Sequence, residues 1–227
     1  MISVRPAEAL TLSQLPLFPL QTVLFTGGWL PLRIFEVRYL DMIGRCHKAG
    51  APFGVVCLSE GSEVRRIDPA SPPTGDGFAR EVFHPVGTLA HIESLERPQP
   101  GLMMIRCRGL QRFHVTRRSQ LPHGLWVADV QLDEPEAVVP LPDHLVHTRD
   151  ALQRLLQNLQ ERDPGNLDQL PLQAPYQWDD SGWVANRWAE LLPAPAELKQ
   201  RLMTLDSPVL RLELVSDLLD KLGLGGV

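Results

Sequence analysis

Two rhythms of apolar residues divide the chain near residue 135. Before that point, apolar residues come in short runs punctuated by Gly and Pro, the pattern of strands joined by tight turns. The runs "FGVVCL" (53–58), "VGTLAHIESLE" (86–96), "LMMIRCRGLQRFHVT" (102–116) and "LWVADVQL" (125–132) predict strands. One helix interrupts them: in "EVRYLDMIGRCHKAG" Val37, Leu40, Met42 or Ile43, and Cys46 recur near helical spacing, and Gly50 suits its end. The stretch "DPASPPTGDG" (68–77) reads as a loop. Beyond "EPEAVVPLP" the period lengthens. Leu145, Leu152, Leu155, Leu156 and Leu159 predict a helix over about 143–162. Asp179, Asp180 or Ser181 caps another, carrying Trp183, Val184, Trp188, Leu191 and Leu192. Asp206-Ser207-Pro208 opens a last helix, with Leu210, Leu212, Leu214, Leu218 and Leu219 along it and Gly223 at its close. This is an α+β arrangement, β-rich over 1–135 and helical over 136–227.

The stretch "LPLFPLQTVLFTGGWLPLRIF" (15–35) is apolar, yet Pro16, Pro19 and Pro31 interrupt it. Proline lacks an N–H and fixes φ, which confines these positions to edges, bulges or extended backbone. Gly27-Gly28 permits a tight turn. The segment therefore predicts two kinked strands, "LPLFPL" and "WLPLRIF", of the kind that curve into a small barrel.

These residues carry a resemblance. Leu15-Pro16-Leu17-Phe18-Pro19-Leu20, Leu24-Phe25, and Leu30-Pro31-Leu32-x-Ile34-Phe35-Glu36-x-Arg38-Tyr39 resemble the N-terminal domain of Lon proteases. Phe53-Gly54-Val55-Val56, Val86-Gly87-Thr88-Leu89-Ala90-x-Ile92 and Gly109-x-x-Arg112-Phe113 follow in order. Leu191-Leu192-Pro193 and residues 206–219 resemble the helical region of the same family. One departure is Gly27, where the family usually has a proline before Gly28. The resemblance implies a PUA-like β pseudobarrel with one inserted helix, followed by an α-helical bundle. It further implies recognition of unfolded or exposed hydrophobic polypeptide segments, which in the family are passed to an ATPase and a protease. Neither of those modules is expected here: no lysine sits in the Gly-Lys-Ser/Thr setting of a phosphate loop, and 227 residues leave no room for a Ser-Lys protease.

Composition narrows the rest. A formal net charge of −5 disfavours a dedicated nucleic-acid binder. No apolar run is long enough to span a bilayer, and the N-terminus lacks a secretory pattern. Cys46, Cys57 and Cys107 are widely spaced without a CxxC, which argues against disulfides and thiolate zinc and points to a cytoplasmic protein. Lys48, Lys199 and Lys221 are the only lysines among 22 basic Lys and Arg residues, a bias that reads as compositional.

Candidate chemistry is sparse. Glu36 and Arg38 at a helix start read as a structural pair. His144-x-x-His147 has ligand-like spacing without an evident third ligand, and the cysteines read as small buried hydrophobes. No nucleophile–base set can be assembled, so the expectation is a non-enzyme with no catalytic residue, cofactor or metal. Two binding surfaces remain. An aromatic patch of Phe18, Leu24, Phe25, Trp29 and Phe35 would hold polypeptide or protein substrates, with Trp183 or Trp188 turned toward a groove, since residues five apart do not share a helical face. Alternatively Arg106 and Arg108, joined by Arg112 across a bulge at Gly109, would hold RNA phosphates as in a PUA-like module. Self-association is compatible with either.

Overall fold

The computed structural model describes residues 10–63, 80–165 and 172–224, so the expected loop at 68–77 lies outside the described residues. Six strands come first: β1 (Thr11–Leu20), β2 (Trp29–Ile34), β3 (Phe53–Glu60), β4 (Val82–Gln99), β5 (Leu102–Gln120) and β6 (Trp126–Leu132). Helix α1 (Val37–Ala49) separates β2 from β3. A 3₁₀ turn at Asp143–Leu145 then leads into α2 (Val146–Arg162), α3 (Ser181–Leu191), α4 (Ala196–Met203) and α5 (Pro208–Lys221). Every strand expected from the apolar runs is present; β4 is longer at both ends and β5 runs past its expected end, because Val82 and Phe83 pair with β3, Gln99 with Leu102, and Arg117 to Gln120 with β6. Helix α4 was not expected. It is short and flanked by Pro193 and Pro195, and it buries only Gln200, Leu202 and Met203.

Pairing runs β2-β5-β4-β3-β1-β6, and β6 pairs back onto β5. Five strands thus close a ring, with β1 and β3 parallel and the remaining neighbours antiparallel. Closure leaves few unpaired edges, and β2 rides on the outer half of β5. Alternation explains why β3 is buried on both faces from Phe53 to Leu58. Val56 and Leu58 join Leu15, Leu17, Phe113 and Val130 in one core. Phe53 and Val55 join Ile43, Tyr39 and Ile105 under α1, while Cys57 faces the helices. The helical core is continuous with the strands through Val23, Phe25, Cys57 and Val86.

Helix α3 is surrounded. All residues from Ser181 to Ala189 are buried, so the helix has no solvent face over that span. Both of its tryptophans are therefore interior, Trp183 at 7% and Trp188 at 4% exposure. Of the two, Trp183 is turned toward a groove, at the base of the cleft described below, while Trp188 packs in the helical core. No helix among the described residues is long and apolar enough to cross a membrane.

Candidate functional site

A cleft of about 580 Å³ opens where the strand ring meets the helices. One wall is the turn between β1 and β2 (Thr26, Gly27, Trp29) with Arg108 to Arg112 of β5; the other is α3 (Trp183, Asn186) with residues 173–180. Glu134, Pro135, Glu136 and Val138 of the connecting segment line it as well. Its accessible apolar groups are Trp29, Leu110 (38% exposed) and Val138 (74%). Trp183 closes the base, packed edge-on against Trp178 at 5.0 Å and near Tyr176.

The walls are held by buried arginines whose forked donors reach backbone carbonyls. Arg187 on α3 donates to the Gly27 carbonyl at 2.6 Å and the Thr26 carbonyl at 2.9 Å, which pins the β1–β2 turn. Arg112 on β5 donates to the Met203 carbonyl at 2.7 Å and pairs with Asp133 and Asp206, each at 3.0 Å. Arg211 on α5 donates to the carbonyls of Leu202 and Leu205, to Asn186, and to Glu136. A lysine ammonium lacks the planar fork that spans two such acceptors. Arginine rather than lysine is thus a structural requirement at these three positions. No sequence signal marks Arg211, whose partners lie on other elements, and for Arg187 the only local signal is the i,i+3 spacing to Glu190, since its carbonyl partners lie in the β1–β2 turn.

The turn itself is locked twice over. Gly27 adopts φ +74°. The Gly27 N–H donates to the Gly109 carbonyl and the Gly109 N–H to the Gly28 carbonyl, both at 2.8 Å. A side chain at Gly109 would run into the Phe25 carbonyl, so only glycine allows this approach. Behind the turn, Glu190 is paired with Arg187 at 3.2 Å and is 18% exposed. Burial pushes its carboxyl up to about 7 despite the Arg187 guanidinium, the Phe25 N–H and Lys199. Desolvation lowers both Arg187 and Lys199, whose ammonium donates to the Glu190 carbonyl at 2.8 Å.

The structure disperses the expected aromatic patch. Phe18 stacks on Tyr39 with ring centroids 4.0 Å apart, and Phe18, Leu24 and Phe25 are all core. Burial leaves these three no contact surface. Trp29 borders the cleft, and the Arg106 guanidinium lies over its ring at 4.8 Å. Phe35 is 52% exposed, but it follows the far end of β2, roughly 20 Å along the strand from Trp29. The two do not form one patch.

The arginine stripe is likewise divided. Arg106 and Arg108 keep partly exposed positions on β5, opposite Pro31 and Trp29 of β2. A register shift does follow Gly109, yet it turns Arg112 toward the α4–α5 junction, where its charge is neutralised. His144 lies 3.8 Å from Glu213, and His147 meets the Ser216 hydroxyl at 3.0 Å. Among the described residues no three metal-ligating side chains converge. Arg38 pairs with Glu36 at 3.2 Å and Glu81 at 3.1 Å, and it donates to the Gly124 carbonyl, a structural anchor for α1. Burial pushes the Cys57 thiol up to about 11 and Cys107 up to about 12, far from a reactive thiolate.

Comparison with known proteins agrees with this architecture. The family model of the ATP-dependent protease La (LON) substrate-binding domain matches residues 14–221. A Lon N-terminal domain protein from Xanthomonas campestris is 30% identical with a TM-score of 0.67, over 90% of this chain and 97% of its own. The N-terminal domain of Mycobacterium avium complex Lon protease shares the fold at 18% identity and a TM-score of 0.51, over 91% and 98% of the two chains. No curated protein matches the chain.

Proposed function

The chain belongs to the Lon substrate-binding domain family, and on that premise we propose that it is a non-catalytic module that holds exposed hydrophobic segments of other polypeptides. The observation that carries this reading is the cleft between the ring and the helices. Trp29, Leu110 and Val138 offer apolar surface there, and arginine-to-carbonyl bonds fix the surrounding walls. A rigid cleft loses little entropy of its own on binding, and the partly exposed Trp29 supplies apolar contact area within otherwise mixed walls. The closed ring of strands fits the family's PUA-like pseudobarrel, and the division near residue 135 falls in the segment that lines the cleft. A cytoplasmic setting fits the buried free cysteines. RNA binding is the weaker reading, since Arg112 is spent on ion pairs and Arg106 packs on Trp29.

Fluorescence anisotropy of a labelled, permanently unfolded polypeptide tests the proposal. Saturable binding that survives high salt is expected, with Trp29→Ala weakening it about tenfold and leaving the thermal melt nearly unchanged. Binding unaffected by Trp29→Ala would move the site elsewhere. Salt-sensitive binding of a labelled single-stranded RNA, lost on replacing Arg106 and Arg108, would overturn the reading.

A further inference from the structure

Asn186 of α3 is a buried polar side chain whose hydrogen bonds the fold leaves half used. It is 4% exposed, and its Oδ1 accepts from Arg211 Nη1 at 2.9 Å. A guanidinium only donates, so this bond fixes which end of the amide points toward Arg211. Arg211 is itself held by the Leu202 and Leu205 carbonyls and by Glu136, which leaves the amide no freedom to turn over. The Nδ2 end donates to no group among the described residues and is not sealed inside the core. Asn186 lines the cleft, so that end faces it. Trp183, about one turn earlier on the same side of α3, forms the floor beside it.

The other polar groups of the cleft decide what this donor takes. Asp180 spends its two oxygens on the N–H groups of Val139, Gly182 and Trp183, and Glu136 is paired with Arg211. Glu134, on the exposed rim, pairs with no cation among the described residues, and Arg108 across the cleft pairs with no carboxylate. An anionic ligand would gain Arg108 but meet Glu134, Glu136 and Asp180 along the same walls, whereas a neutral acceptor meets no such repulsion. A ligand that closes over Asn186 must bring an acceptor, because a buried donor left unpaired weakens binding by on the order of tenfold or more. A hydrocarbon brings none. A helix has already committed its interior carbonyls, while an extended, unpaired chain offers one at every residue. Resting on the reading of the cleft as a polypeptide site, we propose that Asn186 is its specificity-determining residue: its amide donates to a main-chain carbonyl of the bound segment and thereby selects extended chain over helix.

A labelled apolar peptide, acetylated and amidated at its ends, tests this by anisotropy against the full chain. It should bind, and Trp29→Ala should weaken it, as the cleft reading requires. Replacing its amide bonds one at a time by (E)-alkene isosteres removes each carbonyl while keeping the extended shape, and at one position this should cost about tenfold. Asn186→Asp keeps the oxygen that Arg211 needs and removes the donor. It should weaken the parent peptide about tenfold with little change in the melt, and the alkene at the sensitive position should then cost nothing more. Locking the same sequence into a helix with a lactam bridge should also weaken binding about tenfold. Peptide binding that depends on Trp29 but not on Asn186 overturns the inference and leaves the cleft reading standing. So does an alkene series without a sensitive position in the unaltered protein, whatever the variant does, or a helical peptide that binds as well as the extended one. Absence of peptide binding overturns both. A requirement for a free C-terminal carboxylate, lost in high salt, assigns the donor to an anion and overturns the inference alone.

Discussion

In the strand half, the bonds that hold the walls run between backbone groups of neighbouring strands, and the ladder closes on itself through β5 and β6. In the helical half, the bonds that join element to element run from arginine side chains to carbonyls at turns and helix ends. The ladder is made of repeated, equivalent bonds, so no single side chain dominates it. The arginine bonds are few and charged, and each leaves several buried acceptors exposed to loss. The cleft lies where the two schemes meet, and its shape depends on both.

Removing the arginine scheme should cost most. Arg211→Ala would strand the Glu136 carboxylate and the Leu202 and Leu205 carbonyls, with an expected loss of about 3–5 kcal/mol in urea unfolding. Arg211→Lys should recover only a fraction of it, because an ammonium cannot span these acceptors. A full rescue by lysine would show that charge rather than forked geometry holds the half together. On the strand side Gly109→Ala should cost about 2–3 kcal/mol, since its Cβ meets the Phe25 backbone, which has no alternative position. The same variant should weaken polypeptide binding by displacing the Gly27–Trp29 wall.

What could be read in advance follows the same division. Strands announce themselves through local alternation and Gly/Pro stops, so β3, β6 and the two proline-kinked strands were legible from neighbours alone. The caps at Asp180 and Ser207 were legible for the same reason. The burial of α3 on every side was not, because Ser181, Asn186 and Arg187 read as a solvent face and only their tertiary partners show them buried. Nor was the cleft, whose walls come from four segments far apart in the chain. Residue type hinted at Phe18 and Phe25 as contact residues, but only tertiary packing shows that the core consumes them.

A smaller effect sits on the bond between the halves. Glu190 has a folded-state carboxyl near 7, above the ordinary value of 4.5. A raised folded value means that the carboxyl contributes stability which is complete below pH 4.5 and lost as pH rises through 7. The loss should be on the order of 2 kcal/mol, because the side chain is only 18% exposed. Glu190→Gln should flatten the midpoint of urea unfolding between pH 4.5 and 7 and leave the variant the more stable protein above pH 7. A wild-type profile that already lacks this slope would mean that Arg187 compensates the burial of Glu190 in full.

The least costly change probes whether a cap can also act as a joint. Asp180 accepts from the N–H groups of Gly182 and Trp183 at the start of α3, and also from Val139 in the connecting segment at 3.0 Å. Ser207 accepts only from Leu210 at the start of α5. Caps of either type are worth about 1 kcal/mol. Asp180→Ala should nevertheless cost more than Ser207→Ala, because it also leaves the Val139 N–H unpaired beside Pro140, whose bridge to Asp180 sets the segment against α3. Asp180→Asn keeps acceptor oxygen at the same place and should recover most of the loss. If the two alanine variants unfold at the same urea concentration, Asp180 is a cap and nothing more, and the segment that lines the cleft is held by the backbone bonds of Val139 and Leu141 to Ser181 and Asp179 together with the Arg211–Glu136 pair.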